Sequence, residues 1–122
     1  MALGWKVFGA GLPGLAVQAI CQDAGSAISA AGTTQGTATE LVNADSEVST
    51  VASGAGVVLA SRLSPGDEQT VFNSGANALK IYPTSGMSIN ALAANAPMLL
   101  ARNTGCLFKC ISTTRVFGVL SA

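Results

Sequence analysis

The sequence contains no histidine, and only 10% of its 122 residues are charged, against roughly 25% in an ordinary soluble domain. Without histidine, serine and cysteine nucleophiles lose their commonest base, and transition-metal sites lose their commonest ligand. There is no P-loop lysine either. Hydrolase, redox and metalloenzyme readings therefore have little to work with, and the expectation is a non-enzymatic protein with no cofactor. Six basic residues balance six acidic ones. The basic ones (Lys6, Arg62, Lys80, Arg102, Lys109, Arg115) are scattered, so the basic face that supplies most nucleic-acid affinity is missing. Phe72, Tyr82 and Phe117 could stack single-stranded bases, but with no basic groove they read as core or subunit interface. No run of about 18 apolar residues occurs, which argues against a membrane-spanning helix. The three cysteines are an odd number, which excludes a complete internal disulfide framework and suits thiols kept reduced in a cytoplasm.

What the chain does have is Ala, Gly, Ser and Thr in quantity, with a positive mean hydropathy. Small residues with frequent turns suit tightly packed β structure, and Leu, Glu and Lys are too few to write helix faces. The length suits one domain, large enough to bury a core unaided. A chain so poor in charge must cover apolar surface somewhere, and the usual cover is another subunit.

The clearest stretch is Ser64–Pro83. Pro65-Gly66-Asp67 supplies a tight entry turn. Gln69 to Asn73 is rich in β-branched and aromatic residues, Ser74 to Asn77 is a turn cluster, and Ala78 to Tyr82 alternates. Leu79 and Ile81 fall on one face, Lys80 and Tyr82 on the other. Pro83 ends the run. The pattern predicts a β-hairpin. Further short strands are expected at 47–52, with a bulge, and at 57–60, 97–101, 106–112 and 116–120. Turn signals lie between them at the spacing of an all-β sandwich or barrel. No internal repeat is evident.

Residues 1–25 stand apart, and the expected organisation is an extended N-terminal arm over 1–25 and one β domain over 26–122. Lys6 followed by Val7 to Ile20 imitates a secretory signal, but Gly and Pro break the apolar stretch. Gly9-Ala-Gly11-Leu-Pro-Gly14 matches the dinucleotide fingerprint G-x-G-x-x-G. That motif needs a βαβ unit with an acidic residue after its second strand, and the polar small residues that follow supply neither. Two readings remain for the segment. One is an apolar arm docking on a neighbour through Trp5, Val7, Phe8 and Leu12. The other is a strand, Trp5 to Phe8, pairing within its own domain.

Other candidate chemistry resolves to structure. Cys106 and Cys110 lie four apart on a predicted strand with Phe108 between them, all on one face. Four residues of strand span about 13 Å, too far for both sulfurs to share an ion or a disulfide, so both read as buried apolar thiols. Asp67-Glu68, and Asp45 with Glu47, sit in predicted turns, where they solvate the surface or cap backbone donors.

The text from Gly32 to Thr39 (Gly-Thr-Thr-Gln-Gly-Thr-Ala-Thr) and from Asn73 to Pro83 resembles a group of small tailed-bacteriophage virion proteins. So do Ile89 to Ala96 and the close Val116 to Ser121. The resemblance covers roughly Ala27 to Ala122 and is to capsid cement or decoration proteins. It implies a compact jelly-roll-like β-sandwich, assembled as a homotrimer on the outer capsid surface of the virion after synthesis in the host cytoplasm. It implies the major capsid protein and further copies of itself as partners, with no nucleic acid and no membrane. Lys80 and Tyr82, outward on the hairpin, join Trp5, Val7, Phe8 and Leu12 as candidate interface residues. The alternative is a carbohydrate- or host-surface-binding module of a head or tail fibre, with Tyr82 beside Asn90 and Asn95 as its one candidate site.

Overall fold

A computed structural model describes residues 24–121, which form ten β-strands and no helix. The strands are β1 (Ala24–Ser29), β2 (Thr39–Glu40), β3 (Asp45–Thr50), β4 (Gly56–Val58), β5 (Glu68–Asn73), β6 (Leu79–Tyr82), β7 (Ser88–Ile89), β8 (Met98–Leu100), β9 (Thr104–Cys110) and β10 (Arg115–Leu120). Sheet A has six strands in the order β1-β3-β5-β9-β10-β7, and sheet B has four in the order β2-β4-β6-β8. The all-β expectation holds.

The winding differs from a jelly roll. From β1 to β6 the chain alternates between the two sheets, and its neighbours within each sheet are parallel: β1 with β3, β3 with β5, β2 with β4, β4 with β6. Each A strand and the B strand after it make one coil, so the first half is a short two-sheet solenoid. Parallel neighbours ordinarily need a long crossover. Here the return stroke is itself a strand, in the opposite sheet. The second half reverses. β8 runs antiparallel to β6, β9 to β5 and β10 to β9, which closes that end.

The same winding corrects the expected hairpin at Ser64–Pro83. β5 and β6 belong to different sheets and do not pair. The turn between them is shaped by Asn73, whose Oδ1 accepts from Gly75 N–H (2.9 Å) and whose Nδ2 donates to the Asn77 carbonyl (2.9 Å). These local bonds carry the chain across the core instead of back along β5. Coil length also varies, which hides the repeat. Ala24 lies opposite Asp45, 21 positions on, and Asp45 opposite Thr70, 25 positions on.

Both sheets feed one core. Val48, Val71, Cys106, Phe108, Cys110 and Val116 point in from sheet A, and Val57, Leu79, Ile81 and Leu100 from sheet B. Gln69, also fully buried, holds three backbone groups of the coil corners. Its Nε2 donates to the carbonyls of Leu41 (2.9 Å) and Asn43 (3.0 Å), and its Oε1 accepts from Ala60 N–H (3.0 Å). Gln69→Leu keeps much of the volume and strands all three groups. Urea unfolding should show a loss on the order of 3 kcal/mol, against less than about 0.5 kcal/mol for the exposed control Thr113→Ala.

Candidate interaction surface

Among the described residues, exposed large apolar side chains gather on the outer face of sheet A. Side chains alternate across a strand, so the residues between the buried ones of β5, β9 and β10 point outward together. Cross-strand register aligns Thr70 with Leu107 and Leu107 with Val119, and sets Phe72 opposite Gly105 and Phe117 opposite Lys109. Phe72 is 48% exposed, Val119 66% and Leu120 56%. With Leu107 they line a shallow depression of about 780 Å³. Gly105 makes it possible: a Cβ there would meet Phe72 Cδ1 at 2.7 Å, so only glycine lets the ring lie across β9.

Charges ring this surface. Glu47 accepts from Ser74 Oγ (2.8 Å) on the β3 side. On the opposite side Lys109 approaches Glu68 at 3.7 Å, and the Arg115 guanidinium stands 5.9 Å from the Phe117 ring centre, within cation–π range. An apolar centre with a charged rim is the layout of a protein contact surface. The hint available in the sequence was β9 itself: Cys106-Leu-Phe-Lys-Cys110 has apolar residues on both faces, a pattern typical of a strand covered on both sides.

The expected site residues are placed differently. Trp5, Val7, Phe8 and Leu12, with the Gly9–Gly14 motif and Cys21, lie outside the described residues. Lys80 is half-buried on β6 in sheet B. Tyr82, expected outward, is only 5% exposed. Its ring packs over Gly56, where a Cβ would lie 2.9 Å from Tyr82 Cε2, and its hydroxyl donates to the Thr33 carbonyl (2.9 Å). Tyr82 is therefore a fold residue. Phe72 and Phe117 share the sheet A face, and Tyr82 does not join them in a stacking platform.

The side-chain oxygens of Asn90 and Asn95, expected beside Tyr82, are used within the fold. Asn90 Oδ1 accepts from Gly118 N–H (2.9 Å), and Asn95 Oδ1 from Gly86 N–H (2.7 Å) and Gln35 Nε2 (3.2 Å). Both asparagines have positive φ, a conformation asparagine tolerates better than most side chains. Asp67 Oδ2 accepts from Ser64 N–H (2.9 Å), closing the entry turn. Among the described residues no three His, Cys, Asp or Glu side chains converge as metal ligands.

Cys106, Phe108 and Cys110 all point into the core, with Leu107 and Lys109 outward, and both thiols are free. Burial pushes the Cys106 thiol up to about 11, opposed in part by a hydrogen bond from the Val119 backbone. Burial, and then the negative charge of Asp67, also raises Cys110. A thiol held protonated is a poor nucleophile. Iodoacetamide at pH 8 should leave both unmodified in the folded protein and label both in urea. The unfolded chain ionises Cys106 from about pH 9 while the folded chain holds the proton to about pH 11. This contribution to stability is complete below pH 9 and falls as pH rises through that window. The limiting slope is about 1.4 kcal/mol per pH unit for one thiol, and Cys106→Ala should flatten the decline.

No protein-family model, curated protein or solved structure matches the chain.

Proposed function

We propose that this is a non-enzymatic virion structural protein, a capsid cement or decoration protein that binds the outer surface of a phage head and stabilises contacts between major capsid subunits. The observation that carries the reading is the outer face of sheet A, a continuous apolar surface built on rigid strands with a charged rim. A binding surface on sheet strands holds its shape better than one on loops. The resemblance of the text from Ala27 to Ala122 to small tailed-phage decoration proteins supports the same reading.

In this mechanism Phe72, Leu107, Phe117 and Val119 bury apolar area against the shell, and many copies bound at once resist outward pressure on the head by avidity. The copies associate as a homotrimer, which would cover further apolar surface. The carbohydrate-binding alternative is less favoured, because the side-chain oxygens of Asn90 and Asn95 and the hydroxyl of Tyr82 are engaged within the fold, and Tyr82 is buried.

The test is a pull-down of purified protein on undecorated heads, with sedimentation to give its own oligomeric state. Wild-type protein should co-sediment at a copy number on the scale of the shell subunits and raise the temperature at which heads release DNA. The double variant Phe72→Asp/Leu107→Asp, checked for an unchanged unfolding midpoint, should lose binding by on the order of a hundredfold or more. Normal decoration by that variant, or a handful of copies per particle, would reject the reading.

A further inference from the structure

Among the described residues, the charges on the outer face of sheet A are sorted by strand. Ser46 and Val48 are buried on β3, and Gln69 and Val71 on β5. Alternation therefore turns Asp45, Glu47 and Glu68 outward, and all three are acidic. On β9 and β10 the outward charges are Lys109 and Arg115, both basic. One half of the face is negative and the other positive, while the exposed apolar side chains run across both halves.

A face divided in this way is complementary to itself. Sheets stack about 10 Å apart with their strands within about 30° of one another. A two-fold rotation about an axis in the interface, parallel to the strands and midway between β5 and β9, lays the β9 of a second copy over β5 and its β10 over β3. Within one copy the register aligns Glu68 with Lys109 and Thr70 with Leu107. After the rotation the same register sets Glu68 against the second copy's Lys109, and Thr70 against its Leu107. Asp45 and Glu47 come over the strand that carries Arg115. Phe72, whose ring leans across Gly105 toward the axis, meets the second copy's Phe72. Inside one copy Lys109 Nζ stands 3.7 Å from Glu68 Oε2, beyond hydrogen-bond length. Two such pairs facing each other alternate in sign around a square.

We propose that two copies of this chain pair through the outer faces of sheet A in this two-fold arrangement. A foreign partner would have to carry the inverse charge pattern, whereas a second copy supplies it by rotation alone. In such an interface every contact is made twice. Six basic residues balance six acidic ones in the whole chain, so no net charge drives the copies apart. The pairing stands independently of the shell reading and adds a competition to it. The side chains that would bind a head stay covered until the pair opens.

Sedimentation of the wild-type protein without heads, at up to roughly 0.1 mM, should give twice the mass of Phe72→Asp/Leu107→Asp, whatever the state of that variant. Two further variants, each checked for an unchanged unfolding midpoint, read the charge layout. Lys109→Glu/Arg115→Glu makes the face wholly acidic, and Asp45→Lys/Glu47→Lys makes it predominantly basic. Each alone should pair on the order of tenfold or more weakly than wild type, and an equimolar mixture of the two should recover the doubled mass. Equal masses for wild type and Phe72→Asp/Leu107→Asp overturn the proposal, as does a mixture that pairs no better than its components. Decoration of heads by a wild-type protein that never pairs would overturn the pairing and leave the shell reading standing.

Discussion

Two buried amides on one strand hold the ends of this fold. Gln69 and Asn73 bracket the inward side of β5, with Val71 between them. Each uses both of its N–H donors and its oxygen on backbone groups of the corners: Gln69 on Leu41, Asn43 and Ala60, Asn73 on Asn77, Leu100 and Gly75. A two-sheet coil must turn at both edges of the core, and each turn leaves backbone groups that no ladder can satisfy. Buried and unpaired, such groups would cost about 1–3 kcal/mol each. Side-chain amides with three usable hydrogen-bonding positions answer this at the two corners nearest the centre of sheet A.

With the corners fixed, the sheet divides its residues by face. The inward set of sheet A, from Val48 to Val116, packs against Leu79, Ile81 and Leu100 of sheet B. The outward set has no such partner within the described residues, yet it includes Phe72, Leu107, Phe117 and Val119. The strands that carry this face, β5, β9 and β10, are antiparallel neighbours where the winding reverses, and there a solvated outer face would ordinarily be polar. The departure from that pattern is the strongest functional signal in the fold. β3, by contrast, presents polar residues such as Glu47 and Ser49 outward.

Much of the local structure was legible. The alternation at 79–82 and 106–111 marked Leu79, Ile81, Cys106, Phe108 and Cys110 as inward, and they are. The entry turn at Pro65-Gly66-Asp67 forms with the Asp67 carboxylate closing it. Alternation failed at Tyr82 because β6 ends there and a loop from the first coil folds over it, bringing the Thr33 carbonyl to its hydroxyl. The two-residue strands β2 and β7 are too short to leave a periodic trace. The outer face was half visible, since Leu107 was placed outward but nothing in one strand announces that Phe72 and Val119 stand beside it.

The amino-acid sequence by itself determined that the chain is β-structured, which residues alternate inward along individual strands, and that ordinary histidine-based chemistry is unavailable. These follow from side-chain shape, period and composition, all of which act within a few residues. Which strands lie side by side, and in what direction, was decided only in the tertiary structure. A turn such as 74–77 serves a hairpin or a crossing between sheets equally well. The choice depends on Asn73 reaching the Leu100 carbonyl, 27 positions away, and on both sheets closing over one core. That long-range constraint turned an expected jelly roll into a solenoid, placed Tyr82 inside, and gathered the outward residues of β5, β9 and β10 into one surface.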